Sequence, residues 1–281
     1  MKLDTIITGL ILIAAFYVLL FIGKIINDLL HREYKLNFEL VEKDNAALAL
    51  AMAGYYFGLV LAIGGALVGP GISIIDDLMD LCIYGLLSII LVNASWYICD
   101  KLLLFKFKIS EELIRDHNQG TGAVSAGMSI ASGFIIFGSV QGKGGSIWTV
   151  IVFWAIGQII LILAGLIYNL ITPYNIHDEI EKDNVAAGVS CAGALVAIGV
   201  IVGLAAESDF ESWATNLPDY LGYAALGLAL LPLVRLLTDK VLLPTVNLTD
   251  EIASQEKPNV GAAYIEAFSY VAAAFIICWC I

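Results

Sequence analysis

Glu42-Lys43-Asp44-Asn45 stands directly before a run of Ala, Leu and Gly, and Glu181-Lys182-Asp183-Asn184 stands before another, 139 positions further on. The same offset, without a gap, carries Gly54 onto Gly193, Asp80 onto Asp219, Tyr84 onto Tyr223 and Asp100-Lys101 onto Asp239-Lys240. Between 42–101 and 181–240, 17 of 60 positions are identical. Chance supplies Leu and Ala matches in so apolar a chain, but not matched charges at both ends of a segment. The chain reads as a tandem duplication, 1–140 and 141–281.

A fainter repeat lies inside each half. Leu36-Asn37-Phe38-Glu39-Leu40 resembles Ile109-Ser110-Glu111-Glu112-Leu113, Ile176-His177-Asp178-Glu179-Ile180 and Leu248-Thr249-Asp250-Glu251-Ile252. Each is followed by an Asn that opens an apolar run: Asn45, Asn118, Asn184 and Asn259. Such an Asn marks a helix start, because its side-chain oxygen accepts one of the free N–H groups of the first turn. The predicted unit is a helix running toward a connector, the connector, and an Asn-capped helix running back, used four times. His117 and Pro258 stand where the other two units have Asp before the Asn. Two spans per unit make the repeats parallel rather than inverted. Upstream of the caps, Tyr34, Leu36, Phe38 and Leu40 alternate with polar residues, as do Phe105, Phe107 and Ile109. That period of two predicts short extended segments lying along the headgroups.

Composition sets the class. Of 281 residues 60% are apolar and 14% charged, and the mean hydropathy is +0.88. Soluble domains carry about 25% charged residues, so a soluble enzyme is excluded. Eight runs reach or approach the roughly 20 apolar residues of a bilayer crossing: 5–23, 45–69, 81–104, 119–139, 147–171, 185–206, 217–238 and 259–280. The fold class expected is an all-α polytopic membrane protein of eight helices, as two four-helix halves. Twelve of the 14 Lys and Arg residues fall in the connections after spans one, three, five and seven, and only Lys2 and Lys143 on the other side. The positive-inside rule then places both termini outside the cytoplasm. A net charge of −12 argues against a nucleic-acid partner. The five cysteines read as small packing residues, since no metal-like spacing with His occurs. No phosphate-binding loop, zinc-protease helix or nucleophile elbow is present, so no catalysis, cofactor or metal is expected.

The Glu-Lys-Asp-Asn approach to a Gly/Ala-rich helix, with Asp80, Tyr84 and Asp100-Lys101-Leu102-Leu103-Leu104 and their copies from Asp219 to Leu243, resembles a bacterial inner-membrane family. It is catalogued as domain of unknown function 350, is related to the UPF0719 proteins, and occurs here as two tandem copies. The resemblance implies an inner-membrane location and no assigned enzymatic activity. Relatives beside membrane-stress and polyamine-type genes imply envelope maintenance, with a cytosolic stress-response partner, but supply no chemistry.

Glu266 is the sharpest candidate for chemistry. It lies seven residues past Asn259, about 10 Å into the membrane at 1.5 Å per residue. The equivalent positions are Met52, Ser125 and Cys191, so this carboxylate is not part of the general scaffold. An ionisable group at depth costs about 2.5–3.5 kcal/mol or more, so it must be protonated, paired or wetted. Arg235, approaching from the same side, is the candidate partner; alternatively it snorkels to the headgroups. The four Asn caps, with Lys43, Arg115, Lys182 and Lys257 nearby, could together hold an anion or an anionic lipid headgroup, although ordinary capping explains the same residues. Gly122, Ala126, Ser129 to Gly133, Gly188, Ala192 and Gly193 form small-residue faces for close packing, within one subunit or in a homodimer. Thr121, Ser125, Ser129 and Ser132 share one helix face and would line a water path if one exists. Asp76, Asp77, Asp80, Glu207, Asp209, Glu211 and Asp219 make two acidic outer loops. Two functions fit: a conduit for small ions or solutes worked by Glu266, or a non-catalytic envelope scaffold that docks a cytosolic partner or organises lipid.

Overall fold

A computed structural model of the chain describes residues 3–68 and 73–280; Lys2, assigned above to the outer side, lies outside them. The described residues form helices and turns, without strands. In chain order the helices are α1 (Leu3–Leu30), α2 (Leu36–Val41), α3 (Ala46–Gly64), α4 (Ile74–Ile98), α5 (Ile109–Ile114), α6 (Gln119–Gln141), α7 (Ile147–Ile171), α8 (Ile176–Glu181), α9 (Val185–Ala206), α10 (Trp213–Leu237) and α11 (Val260–Cys280). Wider π-type turns run over Cys99–Leu103, Thr238–Leu242 and Asp250–Ser254. Seven helices (α1, α3, α6, α7, α9, α10 and α11) are long and apolar enough to cross a membrane. The eighth long helix, α4, has 25 residues and begins with Asp76 and Asp77 in its first turn behind the Ser73 cap. With no water in the hydrocarbon, each such segment must satisfy its own backbone, and helices do so.

The Asn-capped helices α3, α6, α9 and α11 stand side by side in a row, in that order. Small residues make the row possible. A Cβ on Gly133 would lie 2.6 Å from the Gly58 carbonyl oxygen, and one on Gly127 would lie 2.7 Å from the Ala192 Cα. Backbones this close gain dispersion contacts that bulkier side chains would prevent. α6 and α9 are the most enclosed helices, whereas α1 presents Leu10, Ile13, Tyr17 and Phe21 outward. Thr121, Ser125, Ser129 and Ser132 are all buried in α6, and Ser132 accepts from the Gln158 amide at 3.2 Å.

The connectors correct one expectation. The segments read as extended from their period of two are single helical turns: α2, α5 and α8, with the π-type turn Asp250–Ser254 in the fourth. Leu36 and Leu40, Ile109 and Leu113, Ile176 and Ile180, and Leu248 and Ile252 are each four apart, so one turn puts both members on one face. Seven of these eight side chains are buried, and Leu40 packs against them. Burial of that pair outweighs the local alternation, which only turned Phe38 and Phe105 toward the surroundings.

The first three connectors lead into their caps through a left-handed residue: Asp44 at φ 52°, His117 at 53° and Asp183 at 59°. Asp and His tolerate that region better than most non-glycine residues. Pro258 cannot adopt it, and the fourth connector takes a longer path. There Asn259 N–H donates to the Glu251 carbonyl eight residues back, whereas Asn45 and Asn118 reach Glu39 and Glu112 six residues back.

Candidate functional site: a buried ion pair at the connector end

The structure brings Arg235 and Glu266 together. Arg235 lies in the last turn of α10, and Glu266 two turns into α11. An Arg235 Nη1 donates to Glu266 Oε1 as a direct ion pair, with the carboxylate 0% and the residue Arg235 8% exposed. Arg235 Nη2 donates to Thr249 Oγ1 at 3.3 Å. The hydroxyls of Tyr168 and Tyr270 approach the carboxylate at 3.5 and 3.4 Å. The guanidinium carbon lies 6.0 Å from the Tyr168 ring and 5.9 Å from the Tyr174 ring, within cation–π range. Burial, and after it the Glu266 carboxylate, push the Tyr174 phenol up to about 12, so it stays neutral.

A cavity of about 280 Å³ reaches Arg235 from the connector end, lined also by Pro173, Pro232, Asp239, Asn247 and Thr249 among others. Arg235 is therefore the face that the site shows to its surroundings, with Glu266 behind it. Chemically the arrangement holds one proton on or off a carboxylate and one cation whose counter-charge is that carboxylate. Nothing in the sequence pointed to Tyr168, Tyr174, Tyr270 or Thr249; three come from elements far from Glu266 along the chain, and no local pattern marks them.

The four caps stand where helix starts were expected, and their polar atoms are engaged within the protein. The Oδ1 atoms of Asn45, Asn118, Asn184 and Asn259 accept from Leu48, Thr121, Ala187 and Ala262 N–H at 3.0, 2.8, 3.0 and 3.1 Å. Their Nδ2 atoms donate to Glu39, Glu112, Glu179 and Glu251. The first three also donate to a carbonyl of the next connector: Leu113 at 2.8 Å, Ile180 at 2.6 Å and Ile252 at 2.8 Å. The caps thus run along a row and do not gather around one axis. Lys43 and Lys182 pair with Glu39 and Glu179, and Arg115 with Asp116 and Glu111, rather than reaching the caps; Lys257 lies in the turn before Asn259.

Around the connectors, burial raises the Glu112 carboxyl above its usual range, opposed by the Asn118 amide, while Lys106 holds Asp178 below it. Asp209 and Glu207 accept from Lys143 N–H and the Gln141 amide, both at 2.9 Å, and the cavity beside them is lined by Asp77 and Asp80 together with Gln141 and Lys143. Cys99 and Cys191 are buried free thiols, and no cluster of three metal-type ligands occurs among the described residues.

A family model described as Domain of Unknown Function (DUF350) matches the chain twice, over residues 1–140 and 144–281. The chain is also similar to a UPF0719 transmembrane protein of Aquifex aeolicus (strain VF5), 24% identical over 269 residues that cover 94% of this chain and 96% of that protein. No solved structure matches.

Proposed function

The chain belongs to the DUF350 family as two tandem copies, and from that premise we propose that it is a conduit for a small ion or solute in the bacterial inner membrane, with Glu266 and Arg235 as its working site. One observation carries the reading: a fully buried carboxylate, particular to the fourth capped helix, held by an arginine that a cavity reaches from the connector end. In this reading α4 is the eighth crossing and four two-helix units make up two halves. The connectors face the cytoplasm, where most Lys and Arg lie, and both termini lie outside. Neither catalysis nor a cofactor is part of it.

The working step follows from charge balance. Protonating Glu266 leaves Arg235 cationic beside the Thr249 hydroxyl and two tyrosine rings, and the Asp239 carboxylate on the same cavity is already engaged by Lys240 and the Leu248 N–H. A small anion entering the cavity restores neutrality, so a proton and an anion are taken up together. An unpaired buried charge costs several kcal/mol, which couples the two events. Proteoliposomes carrying a pH gradient and an internal pH dye test this: wild-type protein dissipates the gradient faster with a permeant anion present, and Glu266→Gln abolishes the flux. Wild-type flux from a well-folded Glu266→Gln protein discards the site.

A second reading draws on the belt of connector helices linked through the caps: a scaffold that organises anionic lipid or docks a cytosolic stress-response partner, with a homodimer formed through its small-residue faces. Silent liposomes together with a stoichiometric peripheral protein on the purified complex would favour it.

A further inference from the structure

The first half carries its own cavity at the connector end, placed where the Arg235 cavity lies in the second. Moving Pro232, Arg235, Leu236, Asp239 and Thr249 back by 139 positions gives Asn93, Trp96, Tyr97, Asp100 and Ser110, and all five line the first-half cavity. The duplication has kept the hollow and changed its floor: tryptophan replaces the arginine, and an amide replaces a proline. At about 530 Å³ it is also larger than its counterpart of about 280 Å³.

Its walls divide by chemistry. Ile26 and Leu30 of α1 line it together with Ile90 and Ala94 of α4, and Ile90 and Tyr97 are exposed at the surface. The polar lining is His31, Glu33, Asn93, Asp100 and Ser110, and it includes no Lys or Arg. Asn93 spends its Nδ2 on Tyr55 Oη at 2.9 Å and on the Ile89 carbonyl at 2.7 Å, leaving Oδ1 buried and unpartnered. A buried acceptor without a donor costs free energy, so the site calls for a donor from outside the chain. Glu33 makes no ion pair among the described residues, whereas Asp100 is occupied by Ile109 N–H at 2.8 Å and Lys101 at 2.6 Å.

We propose that this cavity binds the head of a membrane lipid that ends in a primary ammonium. Such a group brings three N–H donors and a positive charge, matching the free acceptor of Asn93, the Glu33 carboxylate and the Trp96 ring. The lipid's chains leave past Ile90 and Tyr97 into the bilayer. A quaternary ammonium lacks the donors, and a glycerol head lacks the charge. The same chemistry could arrive on a soluble alkylamine, and the test separates the two sources.

Protein purified into mixed micelles is supplied with equal amounts of phosphatidylethanolamine, phosphatidylcholine and phosphatidylglycerol, and retained lipid is counted by native mass spectrometry. Wild-type protein is expected to keep phosphatidylethanolamine over either competitor by at least about fivefold. Glu33→Gln removes that preference, and Ala94→Phe, which fills the apolar wall, lowers the retention of all three. Hexylamine, with hexanol as its uncharged control, is titrated into wild type in a separate arm. Hexylamine bound in place of any lipid preference assigns the ammonium to a soluble amine. Equal retention of the three lipids with no hexylamine binding overturns the proposal, and so does a preference that survives both variants. The wild-type arms need no variant to fold.

Discussion

Glu266 has exchanged water for one guanidinium and two distant phenols, so its neighbours decide whether it stabilises or strains the protein. Removing one member of a buried pair typically costs about 3–5 kcal/mol, because the survivor keeps its desolvation and loses its counter-charge; replacing both with apolar residues of similar size is often neutral. Glu266→Leu and Arg235→Met are each expected to lower the melting temperature in detergent by on the order of 10 °C. The double variant should recover most of that loss while remaining inactive in the liposome assay. Melting shifts that simply add would show that the two side chains do not act as a pair. Both residues were legible in the chain as candidates, Glu266 from its depth past Asn259 and Arg235 from its approach on the same side. Their contact, and the tyrosines around it, depend on how α7, α10 and α11 pack.

Among the elements, α6 shows how composition becomes architecture. Rich in Gly and Ser, the helix is enclosed on most sides, and small side chains are what allow α3 and α9 to close on it. Gly133→Leu drives a side chain into the Gly58 carbonyl, so loss of the monodisperse peak on size-exclusion chromatography is expected. Gly222→Leu, at a position with open space beyond the missing Cβ, should leave both the peak and the melting temperature unchanged within about 0.5 kcal/mol. Equal damage from the two variants would mean that close helix approach is not what the glycines provide. The connectors teach the reverse lesson. Their period of two was real, but a hydrophobic pair four residues apart is satisfied by one helical turn, and six residues are too few for local pattern to separate the two outcomes.

At the scale of the whole molecule, the caps tie the repeats into a series. Asn45 holds the second connector, Asn118 the third and Asn184 the fourth, so a helix start in one unit fixes the connector of the next. This linkage requires all four connectors to lie on one side. Reporter fusions within 28–44 and within 173–183 are expected to report the same compartment, and fusions within 143–146 the opposite one. Opposite readings for the first two would break the parallel threading and, with it, the correspondence between the two cavities.

Helix class, membrane character, the duplication and the Asn caps were settled by the chain itself, because each rests on local composition or on a periodic pattern that neighbours in sequence carry unaided. The close row of α3, α6, α9 and α11, the cap-to-connector bonds, the enclosure of Glu266 by Arg235 and the tyrosines, and the two cavities with unlike floors were decided only in three dimensions. They join residues dozens of positions apart, and at that range the geometry follows from which small side chains let two backbones meet.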